Sequence, residues 1–387
     1  MESVYITMMG ISGSGKTSFL SAVHQTMMNT NISGYDKSGG KISVHFASGG
    51  KVPDTERLRS QLELDDVLIT PGRFPAGTES TRWLHLTLCV NNERICSVYF
   101  SDYKGGAIGA ADNAQLNLED EDDEATRGVM IERMRQSNVL LVMADAVNLS
   151  LYEREFECRS KVGANRANAI FSVLSSPGGF ADSGFSREDL CVLLLLTKSD
   201  SEIIPPEDKA NNFFRLSQKA LKMFSIVESV CALNADKRNW TFGVVPVSAI
   251  GEGNVVTVPF GGQYRSEFIS DLSKINIVPY NIDVVMLFSV CWSLRDAWRK
   301  NLLRMKTLEA EAAENAKNAK GFALKRETLE KNQKLFTEKT AEIGRLKKEN
   351  EKLIFCCDKI DEVFGERFAN SINCRIEPSS RPVMAGG

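Results

Sequence analysis

Eight residues near the start of the chain, Gly10-Ile-Ser-Gly-Ser-Gly-Lys-Thr17, carry its most specific chemistry. Glycines at 10, 13 and 15 let the backbone curl so that successive N–H groups point into one concavity, a shape that holds an oxyanion. Val4 to Met9 before them reads as a short buried strand. Ser18 to Met28 after them reads as a helix with Phe19, Leu20 and Val23 as apolar positions. Strand, loop and helix in that order complete the GxxxxGK(S/T) phosphate-loop pattern. The helix N-terminus adds the positive end of its dipole. Lys16 is placed to reach β- and γ-phosphates, and the Thr17 hydroxyl to ligate Mg²⁺. The candidate phosphate-binding set is Gly10, Ser12, Gly13, Ser14, Gly15, Lys16, Thr17 and Ser18.

A phosphate loop leaves the base undecided. Cys191 to Leu196 is a Val/Leu run that reads as a buried parallel strand, and it ends in Thr197-Lys198-Ser199-Asp200. This resembles the (N/T)KxD motif of GTPases, at the carboxyl end of a strand where ligands bind in such folds. The resemblance implies that the Asp200 carboxylate accepts from guanine N1–H and the exocyclic amine, with Lys198 along the base plane. Adenine lacks both donors and would leave a buried carboxylate unpaired. Thr197 stands where Asn is commoner, a form also found in dynamin-like and some bacterial GTPases. In isolation TKSD is ordinary turn chemistry, so the order of motifs matters. Gly243 to Val247 reads as a further strand ending in Ser248-Ala249-Ile250, similar to the SAx motif whose backbone contacts guanine O6. Phosphate loop, TKxD and SAx, each after a strand, together imply GTP and GDP as ligands with Mg²⁺ as cofactor.

The switch motifs follow the same resemblance. Leu84 to Val90 and Arg94 to Phe100 alternate in polarity around Asn91-Asn92 and read as an antiparallel hairpin. The second strand ends in Ser101-Asp102-Tyr103-Lys104-Gly105, similar to the DxxG motif, in which Asp102 would hold the metal through water and the Gly105 N–H would sense the γ-phosphate. The following Gly106 occupies the position where Ras-like GTPases carry a Gln that orients the attacking water, so either another residue, a partner or a second protomer positions that water, or intrinsic hydrolysis is slow. The first switch needs a Thr ahead of the hairpin. Thr78 is preferred for its mobile Pro-Ala-Gly context, with Thr81 the alternative. The expected catalytic residues are therefore Lys16, Thr78 and Gly105, and the expected metal ligands Thr17, Thr78 and Asp102. Six consecutive acids, Glu119 to Glu124, read as a solvated loop.

These residues need a scaffold, and the patterns supply one. Strands at about 3–9, 84–90, 94–101, 138–145, 190–197 and 243–248 predict a six-stranded, mostly parallel sheet with one antiparallel hairpin. With helices between them, this is the α/β P-loop NTPase fold with a Ras-like core. The resemblance covers residues 1–298, with insertions at about 31–80, 105–128, 175–189 and 250–280 that read as loops. The long gap between Thr17 and Thr78 predicts extra secondary structure inside the first.

At 43% hydrophobic and 25% charged, the composition is that of a soluble globular protein. A net charge of −3 gives no general attraction to nucleic acid. Nine cysteines without a CxxC, and only three histidines, argue against a zinc site or a secreted disulfide framework. The N-terminus lacks a signal-peptide pattern, and the longest apolar stretch, Val284 to Leu294, is too short to span a membrane. The expectation is a cytoplasmic protein.

Beyond Asn281 the chain turns helical, with apolar positions dense up to Trp298. Residues 299–364 read as a coiled-coil arm. Phe322, Leu329, Phe336, Ile343, Asn350, Cys357 and Phe364 fall seven apart, and Leu346, Leu353 and Ile360 fill the complementary position. The arm could pair with a second copy or another protein, fold back as an intramolecular hairpin, or lie on the domain. Residues 365–387 read as a disordered tail. The leading function is GTP hydrolysis in a nucleotide-dependent switch or assembly factor. The alternatives are a dynamin-like membrane-remodelling GTPase and a non-hydrolysing GTP-binding module.

Overall fold

The computed structural model describes residues 3–35, 41–48, 69–75, 82–102, 133–175, 189–210, 213–260, 263–318 and 326–376. The expected strands form where the sequence is most apolar: β1 (Ser3–Met9), β4 (Arg82–Val90), β5 (Glu93–Asp102), β6 (Val139–Asp145), β7 (Leu190–Thr197) and β8 (Trp240–Pro246). β6, β7 and β8 are buried at every residue, which is why they read as continuous Val/Leu runs. β1 lies parallel between β5 and β6, and β6, β7 and β8 continue in parallel. β4 and β5 pair antiparallel through Asn91 and Asn92, both at positive φ, as a two-residue hairpin turn demands.

The sheet is larger than six strands. β2 (Asn31–Tyr35) and β3 (Lys41–Ser48) extend one edge, and β11 (Asn373–Ile376) caps the other. Among the described residues the order is β11-β8-β7-β6-β1-β5-β4-β3-β2. β2 and β3 fall in the stretch expected as an insertion, where Gly and Ser dilute the strand pattern. β8 starts and ends earlier than expected, at Trp240 and Pro246, because Ser248 leaves the sheet to bridge with Tyr280.

Helices cover both faces. α1 (Lys16–Met28) and α8 (Ile282–Asn318) pack on one face through Phe19, Leu20, Val23 and the segment Ile282–Leu294. Five described helices bearing side chains such as Leu149, Phe171 and Leu216 pack on the other: α2 (Ala146–Leu151), α3 (Glu155–Lys161), α4 (Ala164–Ser175), α6 (Phe214–Met223) and α7 (Ser225–Arg238). The short α5 (Pro206–Ala210) lies between β7 and α6 in the chain.

α9 (Arg326–Ser371) returns antiparallel to α8. Arg367 pairs with Asp283, Arg295 with Asp361, Asn301 with Asn350, and Lys339 with Glu311. The heptad residues Leu346, Leu353, Cys357, Ile360 and Phe364 are buried, and Asn350 sits on that seam with a partner for its amide. Of the three arrangements open in the sequence, the helices adopt the intramolecular pairing. Leu353, Cys356, Ile360 and Phe368 of α9 also join the core under the sheet. The chain expected as a disordered tail from 365 is helix to Ser371 and then strand β11, because Phe368 and Ile372 are buried against the sheet. Residues 377–387 lie outside the described residues. No described helix is long and apolar enough to cross a membrane.

Candidate functional site

The loop between β1 and α1 curls its backbone into the concavity expected of an anion site. Gly13 and Gly15 take φ of 78° and 90°, a region L side chains rarely enter, and this turns the loop inward. The Ser14 N–H closes the turn on the Ile11 carbonyl at 3.2 Å. Lys16 starts α1 and folds its side chain back, with Nζ donating to the Gly10 and Ile11 carbonyls at 2.9 and 3.0 Å. The first turn of α1 holds no acidic residue, so nothing opposes its dipole there. The Ser14 hydroxyl is buried with no hydrogen-bond partner, a donor left for a ligand to satisfy.

β7 delivers the next set beside this loop. Thr197 Oγ1 donates to the Ser14 carbonyl at 2.8 Å and lies 3.3 Å from the Ala144 carbonyl. The residue that departs from the commoner Asn therefore fastens the base-side loop to the phosphate loop. Lys198 takes φ of 56°, and its ammonium meets Asp145 Oδ2 at 2.6 Å. Asp145 in turn caps α2 by accepting from the Val147 and Asn148 N–H groups. Burial pushes the Asp200 carboxyl above its ordinary value, while a hydrogen bond from Ser248 and the Lys209 charge pull it back.

After β8, Ser248 turns the third loop. Its hydroxyl accepts from the Ile250 and Gly251 N–H groups at 3.2 and 2.9 Å, leaving its own proton for Asp200. Gly251 sits at φ of 92°, and a Cβ there would lie 2.4 Å from the Val278 carbonyl oxygen, so only glycine fits.

One cavity of about 430 Å³ gathers these loops, within the range of small-molecule sites. Ser12, Gly13 and Gly15 to Ser18 line it together with Thr197, Lys198, Asp200, Ser248, Ala249 and Ile250. Gly10 and Ser14 stand just behind, Gly10 holding the Lys16 ammonium and Ser14 the Thr197 hydroxyl. Of the remaining expected residues, Thr78, its alternative Thr81, Gly105 and Gly106 lie outside the described residues, as does the acidic run 119–124. Asp102 ends β5, one residue beyond the Thr7–Ser101 pairing with β1.

Sequence reasoning missed Asp145 as the partner of Lys198, although its place at the end of a buried strand was visible. It also placed 250–280 among loops. That stretch contains a hairpin, β9 (Val255–Phe260) and β10 (Gln263–Phe268), whose Tyr264, Arg265 and Ser266 line the cavity. Two strand-like runs around Gly261-Gly262 were the available signal.

A family model described as Double-GTPase 2 matches residues 4–241, more than half of the chain, including the phosphate loop and the Thr197–Asp200 motif. No curated protein matches the chain. Among solved structures, the complex described as signal recognition particle receptor SRb-GTP/SRX from Chaetomium thermophilum is similar over 64% of this chain and 94% of its own. The identity there is 13% and the TM-score 0.35.

Proposed function

The chain belongs to the Double-GTPase 2 family of P-loop GTPases, and from that premise we propose that it binds GTP and GDP in the cavity and hydrolyses GTP slowly as a nucleotide-dependent switch. The observation that carries this reading is the meeting of Ser12, Gly13 and Gly15 to Ser18 with Thr197, Lys198, Asp200 and Ser248 to Ile250 around one cavity. In it, Gly13 to Ser18 cradle the phosphates with backbone N–H groups, and the orphaned Ser14 hydroxyl gains an acceptor. Lys16, already bent over the loop, exchanges its carbonyl partners for phosphate oxygens. Asp200 accepts from the guanine edge, and Ser248 holds that carboxylate in orientation while Ala249 and Ile250 face the base with backbone. Lys198, fixed by Asp145, lies beside the base plane.

Thr17, whose hydroxyl is a hard oxygen ligand of the kind Mg²⁺ takes, lines the cavity; the resemblance would add Asp102 and Thr78, the latter outside the described residues. When bound, Mg²⁺ neutralises charge on the β- and γ-phosphates. Gly105 senses the γ-phosphate. Gly106 has no side chain to hold the attacking water, which is the reason for slow turnover.

Lys16→Ala tests the assignment. It removes the ammonium that bends back over the Gly10 and Ile11 carbonyls, so GTP affinity and single-turnover hydrolysis should be lost in a chain that still melts cooperatively. Retained GTP affinity at the wild-type level would refute the phosphate-loop role.

A further inference from the structure

The β9–β10 hairpin stands apart from the main sheet and lies beyond the stretch that the family model matches. Its second strand runs along the mouth of the cavity, where Tyr264, Arg265 and Ser266 share the lining with Lys16, Asp200 and Ser248. Tyr264 also borders a neighbouring cavity of about 390 Å³ together with Ser12, Gly13 and Lys198. Tyr264 therefore borders the space that the loop of residues 12–18 shares with Lys198.

The hairpin is rooted on both base-side loops. The Asn254 amide donates to the Ile250 and Gly251 carbonyls, each at 3.2 Å, and its oxygen accepts from the Asn276 N–H at 2.8 Å. The hydroxyls of Ser201 and Thr257 meet at 3.0 Å, and Glu202 accepts from the Thr257 N–H. At the far end of β10, Phe268 packs on Phe74 with ring centroids 4.5 Å apart, which ties the strand to the segment just ahead of the expected first switch. These contacts all grip the base of the hairpin, where Val255 pairs with Phe268, and β10 runs from there to Arg265 and Tyr264 near the turn.

Arg265 Nε donates to Glu267 at 2.7 Å, and the two side chains are 54% and 42% exposed. An exposed pair of this kind contributes little to stability. A phosphate offers the guanidinium the same forked acceptor with more charge. Exchange of Glu267 for a phosphate oxygen is therefore inexpensive, and a polyanion in this cavity has reason to draw Arg265 inward beside Lys16.

We propose that β10 is a nucleotide-binding element of this chain, with the Tyr264 ring packed on the sugar and Arg265 paired with the phosphates. The proposal rests on the guanine-nucleotide reading above. The test measures Kd and dissociation rate of a fluorescent GTP analogue for the full-length wild type and for Arg265→Ala, Arg265→Gln, Tyr264→Ala, Tyr264→Phe and Lys16→Ala. Both Arg265 variants should raise Kd roughly tenfold, the effect of one charge-assisted contact. Tyr264→Ala should speed dissociation several-fold, whereas Tyr264→Phe should behave as wild type, since the ring and not the hydroxyl makes the contact. Melting temperatures should not change, because both side chains are exposed. Wild-type Kd and dissociation rates in the Arg265 variants and Tyr264→Ala, with binding lost in Lys16→Ala, would overturn the hairpin proposal and leave the guanine reading intact. A wild-type protein that binds no guanine nucleotide would overturn both.

Discussion

Asp200 concentrates the conflict between stability and recognition. Its carboxyl is buried beside Ser248, and burial raises its pKa in the fold above that of the unfolded chain. The sign follows from linkage. Below the unfolded pKa both states are protonated and nothing is lost. As pH rises through the raised folded pKa, ionisation proceeds more readily in the unfolded chain, so at neutral pH the ionised carboxylate destabilises the ligand-free fold. Asp200→Asn keeps the shape and an acceptor for the Ser248 hydroxyl but carries no charge. The ligand-free variant should therefore melt above wild type at pH 7, with the gain shrinking as the pH falls into the carboxylate range. Calorimetry across pH checks this, and an Asn variant that melts lower at pH 7 contradicts it. Asp200, Lys16 and Ser248 were legible in the sequence because each belongs to a contiguous motif that follows a strand. Tyr264 and Arg265 were not, since their place beside the cavity comes from a tertiary approach no local pattern encodes.

At the scale of elements, the site depends on three loops leaving the carboxyl ends of parallel strands and on the bonds that hold them together. Thr197 is the principal tie, reaching from the end of β7 to the Ser14 carbonyl. Thr197→Val keeps the volume but leaves that buried carbonyl short of a donor, which costs ~1–3 kcal/mol. The melting temperature should fall, and GTP affinity with it, while Thr197→Ser should restore both. A Val variant with wild-type affinity would mean that the loops keep their spacing without this bond. Strands buried on both faces were readable as unbroken Val/Leu runs, and the β4–β5 turn from its paired asparagines. β2 and β11 escaped notice because edge strands are short and polar, and their pairing partners, not their own residues, decide that they form; β3, paired on both sides, was lost in a Gly- and Ser-rich stretch read as an insertion.

For the whole molecule, the returning helix changes what the C-terminal part does. The heptad pattern was legible, but a seam in the sequence does not say which surface fills it, and here α8 and the sheet do so. The sequence places every nucleotide motif before Lys300, which suggests a shortened chain that still binds GTP. The packing predicts otherwise. Ending near Lys300 strips Leu353, Ile360 and Phe368 from the core. At ~2–5 kcal/mol for each large buried side chain, the loss rivals the ~5–15 kcal/mol that holds a typical domain folded. The truncated chain should be insoluble or unfolded by circular dichroism. A cooperative melt near that of the full chain would show that the arm is dispensable. Whatever the arm contributes, the central claim is that the assembled cavity reads guanine through Asp200. The most direct test is competition binding of GTP, ATP and XTP to the full-length wild type and to Asp200→Asn. The account predicts that wild type prefers GTP over ATP by at least roughly a hundredfold, the discrimination available when a buried polar group would be left unpaired. It also predicts that the Asn variant loses GTP and gains XTP, because its amide donates where the carboxylate only accepted. Equal affinity of the wild type for ATP and GTP, or an Asn variant with unchanged preference, would contradict it.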